Sequence, residues 1–234
     1  MLIVPVIDLM GGRVVHARRG DRSNYRPLQS VLTPSSEPFE VVRALLELAP
    51  FPAIYAADLD AILNRGNHAA IVREIAQRFA PLSVWLDAGF SSQSEIEPWR
   101  RAQGIVPVIG SESLATAAHL TALLAIAPDA VLSLDTRDEL PLGPAALFTQ
   151  PQSWPQRVIV MTLDRVGAGS GPAFARLRAI AALAPDRQLV AAGGVRNAED
   201  LQALEALGVQ AVLIASAIHD GTLDRASLRR FAEQ

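Results

Sequence analysis

The chain has 234 residues, half of them hydrophobic, and a net charge of −3, so it has material for one large core and no basic stripe for nucleic acid. Cysteine and lysine are absent, which excludes disulfides, thiolate metal sites, cysteine nucleophiles and lysine imines together. The four histidines (His16, His68, His119 and His219) are scattered without ligand spacing, so no metal site is expected.

The first residues, MLIVPVIDLMGG, lack the basic lead of a signal peptide and read as a strand. No apolar run approaches the roughly 18 residues of a membrane span, and a cytoplasmic protein with no membrane partner is expected. Seven further short runs follow: PAIYAAD (52–58), LSVWLD (82–87), IVPVIG (105–110), AVLSLD (130–135), RVIVMTLD (157–164), QLVAAG (188–193) and QAVLIA (210–215). They are rich in Val, Ile and Leu and mostly do not alternate, as strands buried on both faces do. Between them lie helical segments at 38–48, 68–79, 93–101, 115–126, 172–183, 198–207 and 223–231, several preceded by Ser, Asn or Asp as N-caps. Eight strand–helix units of roughly 30 residues imply an α/β fold, a (β/α)8 TIM barrel in one domain, with a doubly wound open sheet as the alternative. GFSS at 89–92 through Ser111 lies 105 positions before GVRN at 194–197 through Ser216. That spacing suggests two half-barrels, roughly 1–128 and 129–234, unless two generic strand–turn–helix units coincide. The longest connection, from Leu9 to about Glu37, is of a length that is either functional or disordered.

In such a barrel the C-terminal strand ends form the active site. Aspartates stand at six of these positions: Asp8, Asp58, Asp60, Asp87, Asp135 and Asp164. Loop anchoring through Asx turns accounts best for Asp58, Asp60 and Asp164. Asp8 and Asp135 end the first and fifth strands and face each other across the mouth, where paired carboxyls suit acid–base work. Gly193 and Gly194 let backbone amides approach an anion. With Gly171, Ala215 and Ser216 they would form a phosphate cup on strands seven and eight, although glycines there can also serve packing alone. The first loop carries Arg13, Arg18, Arg19, Arg22 and Arg26, either a solvated charge run or a lid that clamps an anionic substrate, with Arg18 and Arg19 as its substrate contacts.

PVIDLMGGRVVHARRGD, AADLDA, SLDTRD, MTLDRVGAGSGP, LVAAGGVRNAEDL and AVLIASAIHDGTL together resemble the histidine-biosynthesis barrels, the family of the ribotide isomerase and its cyclase relative. The resemblance covers nearly the whole chain. It implies an Amadori rearrangement of an aminoaldose phosphate, with Asp8 matching the family's base, Asp135 its acid and Thr162 the residue beside them. It implies no cofactor. It carries Gly193, Gly194, Ala215 and Ser216 onto one phosphate cup, and Gly110 and Ser111 onto what survives of a second.

Two stretches depart from the family. A glycine triplet at the third strand reads Asp87-Ala88-Gly89 here, and a carboxylate beside a phosphate is repulsive by several kcal/mol. The family's Asp-Gly-Thr reads Val166-Gly167-Ala168. The runs VHARRGDRSNYRP and AADLDAILNRGN look more like a divergent branch of microbes with methanopterin-type one-carbon chemistry. The expected partner is therefore a phosphorylated small molecule, bound by a monomer or small homo-oligomer. The readings left open are the two-phosphate isomerase, a paralogue with a one-phosphate substrate, and a non-catalytic phosphate-binding barrel.

Overall fold

The computed structural model describes residues 1–232. Its strands are β1 (Leu2–Met10), β2 (Arg13–His16), β3 (Arg26–Pro27), β4 (Ala53–Asp58), β5 (Ser83–Asp87), β6 (Ile105–Gly110), β7 (Val131–Arg137), β8 (Leu140–Pro141), β9 (Arg157–Thr162), β10 (Gln188–Ala192) and β11 (Ala211–Ile214). β1, β4, β5, β6, β7, β9, β10 and β11 pair in parallel in that order, and β11 pairs back onto β1, closing an eight-stranded barrel. The helices are α1 (Pro38–Leu48), α2 (Leu59–Ile62), α3 (Ala69–Arg78), α4 (Gln93–Ile96), α5 (Ala117–Ile126), α6 (Phe174–Leu183), α7 (Ala198–Ala206), α8 (Ser216–His219) and α9 (Arg225–Ala232). This is the (β/α)8 fold. No helix among the described residues is long and apolar enough to cross a membrane.

The strands lack alternation because both of their faces are covered. Val4, Tyr55, Trp85, Val108, Val131, Ile159, Val190 and Leu213 fill the barrel interior. Their neighbours, among them Ile7, Ile54, Leu86, Ile109, Leu132 and Val158, pack outward under the helices. The fifth unit departs from expectation. Between β8 and β9 the chain forms 3-10 turns at Ala145–Phe148 and Pro151–Ser153 in place of an α-helix, because Pro144, Pro151 and Pro155 interrupt helical hydrogen bonding. Pro98 likewise ends α4 early, and a 3-10 turn at Glu97–Trp99 replaces its expected last turn.

The long first connection is folded. β2 pairs antiparallel with β1, and β3 with β2, so residues 11–27 arch over the barrel mouth. A buried carboxylate ties this hairpin down. Asp58 accepts from the Ala61 amide at 3.1 Å, from the His68 amide at 2.5 Å and from His68 Nδ1 at 2.8 Å. His68 Nε2 then accepts the Gly12 amide at 2.9 Å, while Asp60 accepts that of Gly11 at 2.8 Å. The imidazole is thereby fixed as its Nδ1–H tautomer. Asp58→Ala should cost about 2–4 kcal/mol in urea unfolding, since it strands buried donors and loosens the hairpin turn. A loss below about 0.5 kcal/mol, the range of an ordinary surface change, would show that the latch contributes nothing.

Candidate active site

The C-terminal strand ends surround a cavity of about 900 Å³, lined by Asp8, Asp87, Asp135, Glu112, Arg22 and Tyr55 on one side and by Gly193, Gly194, Arg196, Ala215 and Ser216 on the other. Its floor is apolar, with Val6, Ala57, Met161 and Leu213. Strand alternation places these residues: the side chains two positions deeper, Val6, Tyr55, Trp85 and Ser133, lie inside the barrel.

Asp135 is heavily coordinated. Ser133 Oγ donates to its Oδ1 at 2.6 Å, and the Glu112 amide to its Oδ2 at 3.2 Å. Its own amide donates to Ser111 Oγ at 2.8 Å, and Ser111 Oγ donates to the Leu142 carbonyl at 2.7 Å. Burial pushes the Asp135 carboxyl up to about 7, against the Ser133 hydrogen bond and with the charge of Asp87. Burial also raises Asp8 to about 7, opposed by the Arg22 guanidinium and reinforced by Asp87. Asp87 is raised to about 6 by burial, moderated by the Gly89 amide on its Oδ1 at 3.1 Å and the Tyr55 hydroxyl on its Oδ2 at 2.9 Å. Arg22 reaches in from the hairpin and pairs with Glu112 at 2.5 Å. Among the described residues no three His, Asp or Glu side chains are grouped to hold a metal ion.

The turns after β5 and β10 share one frame. After β5, Glu95 accepts the Ser91 and Ser92 amides at 2.8 and 3.0 Å. After β10, Asp200 accepts the Arg196 amide at 2.9 Å, and Asn197 caps α7. They differ in the residue that ends the strand, Asp87 against Ala192, and in the one after it, Ala88 against Gly193. Asp87 takes up the Gly89 amide, whereas the matching Ala192 has no carboxylate to offer the Gly194 amide. The second turn is also packed too tightly for any side chain. A methyl on Gly193 would lie 2.6 Å from the Thr162 carbonyl oxygen, and one on Gly194 2.2 Å from that of Gly171. Both residues have positive φ, of 99° and 88°.

The structure brings together Asp8, Asp135, Gly193, Gly194, Ala215, Ser216, Arg18 and Arg19 as cavity-lining residues. Gly171 stands behind the cup, its carbonyl held by Arg165 at 2.9 Å. Two expectations are corrected. Thr162 does not lie beside the aspartates: its register partner is Thr136, Asp135 is paired with Met161, and adjacent residues on a strand face opposite ways. Its hydroxyl is buried without a partner. Ser111 is fully buried and bonded to Asp135 and Leu142, and Gly110 sits beneath the carboxylates, so this pair orients Asp135 rather than lining the mouth as a phosphate cup. Sequence reading also overlooked Tyr55, Glu112 and His16, whose Nε2 lies 3.2 Å from Ser216 Oγ. The only signal for Tyr55 was its place between inward-facing Ala53 and Ala57.

A family model described as histidine biosynthesis protein matches residues 2–224. The chain belongs to this family. One relative is an uncharacterised protein of Methanocaldococcus jannaschii, 33% identical with 96% of each chain covered. Family members named 1-(5-phosphoribosyl)-5-((5-phosphoribosylamino)methylideneamino)imidazole-4-carboxamide isomerase are similar too. That of Rubrobacter xylanophilus is 29% identical over 94% of this chain and 92% of its own, and that of Acidithiobacillus ferrooxidans is 26% identical over the whole of both.

The raised carboxyls have a consequence for stability. A folded-state value near 7 means that the folded chain keeps protons the unfolded chain releases from about pH 4 upward. This contribution is complete below the unfolded value and is lost as pH rises through about 7. Asp8→Asn should therefore be more stable than the native chain at pH 8, by on the order of 1–3 kcal/mol, and not at pH 4. Equal urea midpoints for the two proteins across that range would contradict the burial of the Asp8 charge.

Proposed function

We propose that the chain is an aldose–ketose isomerase acting on a phosphorylated sugar by acid–base catalysis. One observation carries the reading: carboxyls raised to about 7 stand on β1 and β7, opposite one another in the barrel, with an uncommitted glycine turn opening on the same cavity. Values near neutrality let one group donate a proton while the other accepts one. The surroundings favour a division of labour. Asp8 faces the Arg22 cation, which favours its ionised form and suits it as the base. Asp135 lies beside the negative Asp87 and Glu112, which favour its protonated form and suit it as the acid. Asp135 would protonate the ring oxygen as the ring opens, Asp8 would remove the C2 proton, and the enolamine would then ketonise.

The phosphate would rest on the Gly193–Gly194 turn and the Ala215–Ser216 turn. Ser216 Oγ and its partner His16 close one side, with Arg18 and Arg19 above. The relatives named as isomerases act, by their names, on a substrate with two phosphoribosyl groups. A one-phosphate substrate is favoured here, because Asp87 occupies the Gly89 amide of the β5 turn and adds negative charge where a second phosphate would approach, whereas Ala192 leaves the matching amide clear. The membership of this chain in the histidine biosynthesis family supports the reaction class, and the altered turn argues for a different substrate within it.

Turnover should be measured with aminoaldose monophosphates and with the two-phosphate substrate of those isomerases. The expected result is activity on a monophosphate, reduced about 10²–10⁴-fold in Asp8→Asn and in Asp135→Asn. Undiminished turnover in either variant would overturn the acid–base assignment. Efficient turnover of the two-phosphate substrate would overturn the one-phosphate reading.

A further inference from the structure

Asp87 is the mouth carboxylate that the acid–base reading leaves without a task, and its placement is specific. β5 lies midway between β1 and β7 in the barrel, with one strand between it and each. Asp8, Ala57 and Asp87 are direct register partners in a single row. On the other side Gly110 stands between Asp87 and Asp135. A methyl there would lie 3.2 Å from Asp135 Oδ2 and 3.6 Å from Asp87 Oδ2, so both carboxyls converge on the notch that glycine leaves. The two intervening positions are thus the smallest available side chains. Asp87 itself is held from both ends, by the Gly89 amide and the Tyr55 hydroxyl. Each carboxylate oxygen keeps a further lone pair for a proton.

We propose that Asp87 is a positioning residue: a third carboxyl, fixed by Tyr55, that shares protons with Asp8 and Asp135 and returns the proton from the base to the acid after each turnover. The inference rests on the acid–base reading of Asp8 and Asp135. In that reaction Asp135 gives a proton to the ring oxygen as the C–O bond breaks, and Asp8 takes one from carbon. The enolamine then moves its own proton from oxygen to carbon. The substrate has gained one proton and lost one, while the protein is left with Asp8 protonated and Asp135 bare. Transfer from Asp8 to Asp87, and from Asp87 to Asp135, restores the starting state with no net change.

The electrostatics agree. Burial raises Asp87 to about 6, and its charge raises both Asp8 and Asp135. Glu112 on the turn after β6 adds negative charge, while Arg22 on the hairpin lowers Asp8 and Asp87. Tyr55 on β4 stays protonated, its hydroxyl raised well above its ordinary value by burial and then by Asp87. Tyr25, also on the hairpin, is raised to about 12 by burial and the Asp8 charge. Neither phenol competes for the proton near neutrality.

The test is carbon-13 NMR titration of the aspartate carboxyls in the native chain, Asp87→Asn and Tyr55→Phe. In Asp87→Asn the midpoints of Asp8 and Asp135 should both fall, by on the order of one pH unit. In Tyr55→Phe all three carboxyls remain, and the Asp87 midpoint should rise. Unmoved Asp8 and Asp135 midpoints in a folded Asp87→Asn protein would overturn the proposal. Should that variant not fold, an unmoved Asp87 midpoint in Tyr55→Phe would overturn it instead. No substrate is needed. Shifted midpoints without isomerase turnover would therefore defeat the isomerase reading and the proton return that rests on it, leaving only the coupling of the carboxyls, whereas turnover with unmoved midpoints would defeat the role of Asp87 alone.

Discussion

Carboxylates at the end of a closed apolar barrel are expensive to keep ionised, and the arrangement of the mouth follows from that cost. Asp8, Asp87 and Asp135 all project into it, and the chain has no lysine to neutralise them. The compensating groups come from elsewhere. Arg22 is carried over the mouth by the β2–β3 hairpin and anchored on Glu112. Ser133, Ser111, Tyr55 and two backbone amides orient the oxygens of Asp135 and Asp87. The hairpin depends in turn on the Asp58–His68–Gly12 chain at its base. Folding of the first loop, protonation of the carboxyls and closure of the cavity are therefore linked.

The turns after β5 and β10 share a frame and present different groups to the mouth. Both place a carboxylate on the amides just ahead of the following helix, Glu95 from the first turn of α4 and Asp200 from the first turn of α7. Two positions at the strand end separate them, Asp87 against Ala192 and Ala88 against Gly193. With Ala192 the turn leaves the Gly194 amide clear of side-chain carboxylates. With Asp87 the amide is claimed and a charge is delivered to the mouth. In the proposed reading these residues convert an anion-facing turn into a proton-holding one. This fits a family fold whose relatives have kept one frame over nearly their whole length.

Much of this was legible in the sequence. Eight runs of Val, Ile and Leu without alternation marked strands covered on both faces, and Asp8 and Asp135 could be placed across the mouth by counting strands. Contacts between distant residues could not be read. Tyr55 lies 32 positions before Asp87, and its place between Ala53 and Ala57 does not say which carboxylate its phenol meets. Thr162 was misplaced because a motif match does not say which way a strand-end residue faces, and only the pairing of Asp135 with Met161 decides it. Ser111 looked like a ligand because the family resemblance carried it onto a second phosphate cup. Its buried partners, the Asp135 amide and the Leu142 carbonyl, come from beyond the next helix. Proline explains the missing helix after β7, a signal present in the sequence and outweighed by the regular spacing of the strands.

The most direct measurement is a calorimetric titration with inorganic phosphate of the native chain and of Gly194→Val. A mouth with one working anion turn binds one phosphate per chain, and the substitution, which forces a side chain against the Gly171 carbonyl, abolishes that binding. Two phosphates bound per chain, or one that survives Gly194→Val, would contradict the division of the barrel into an anion-binding half and a proton-holding half.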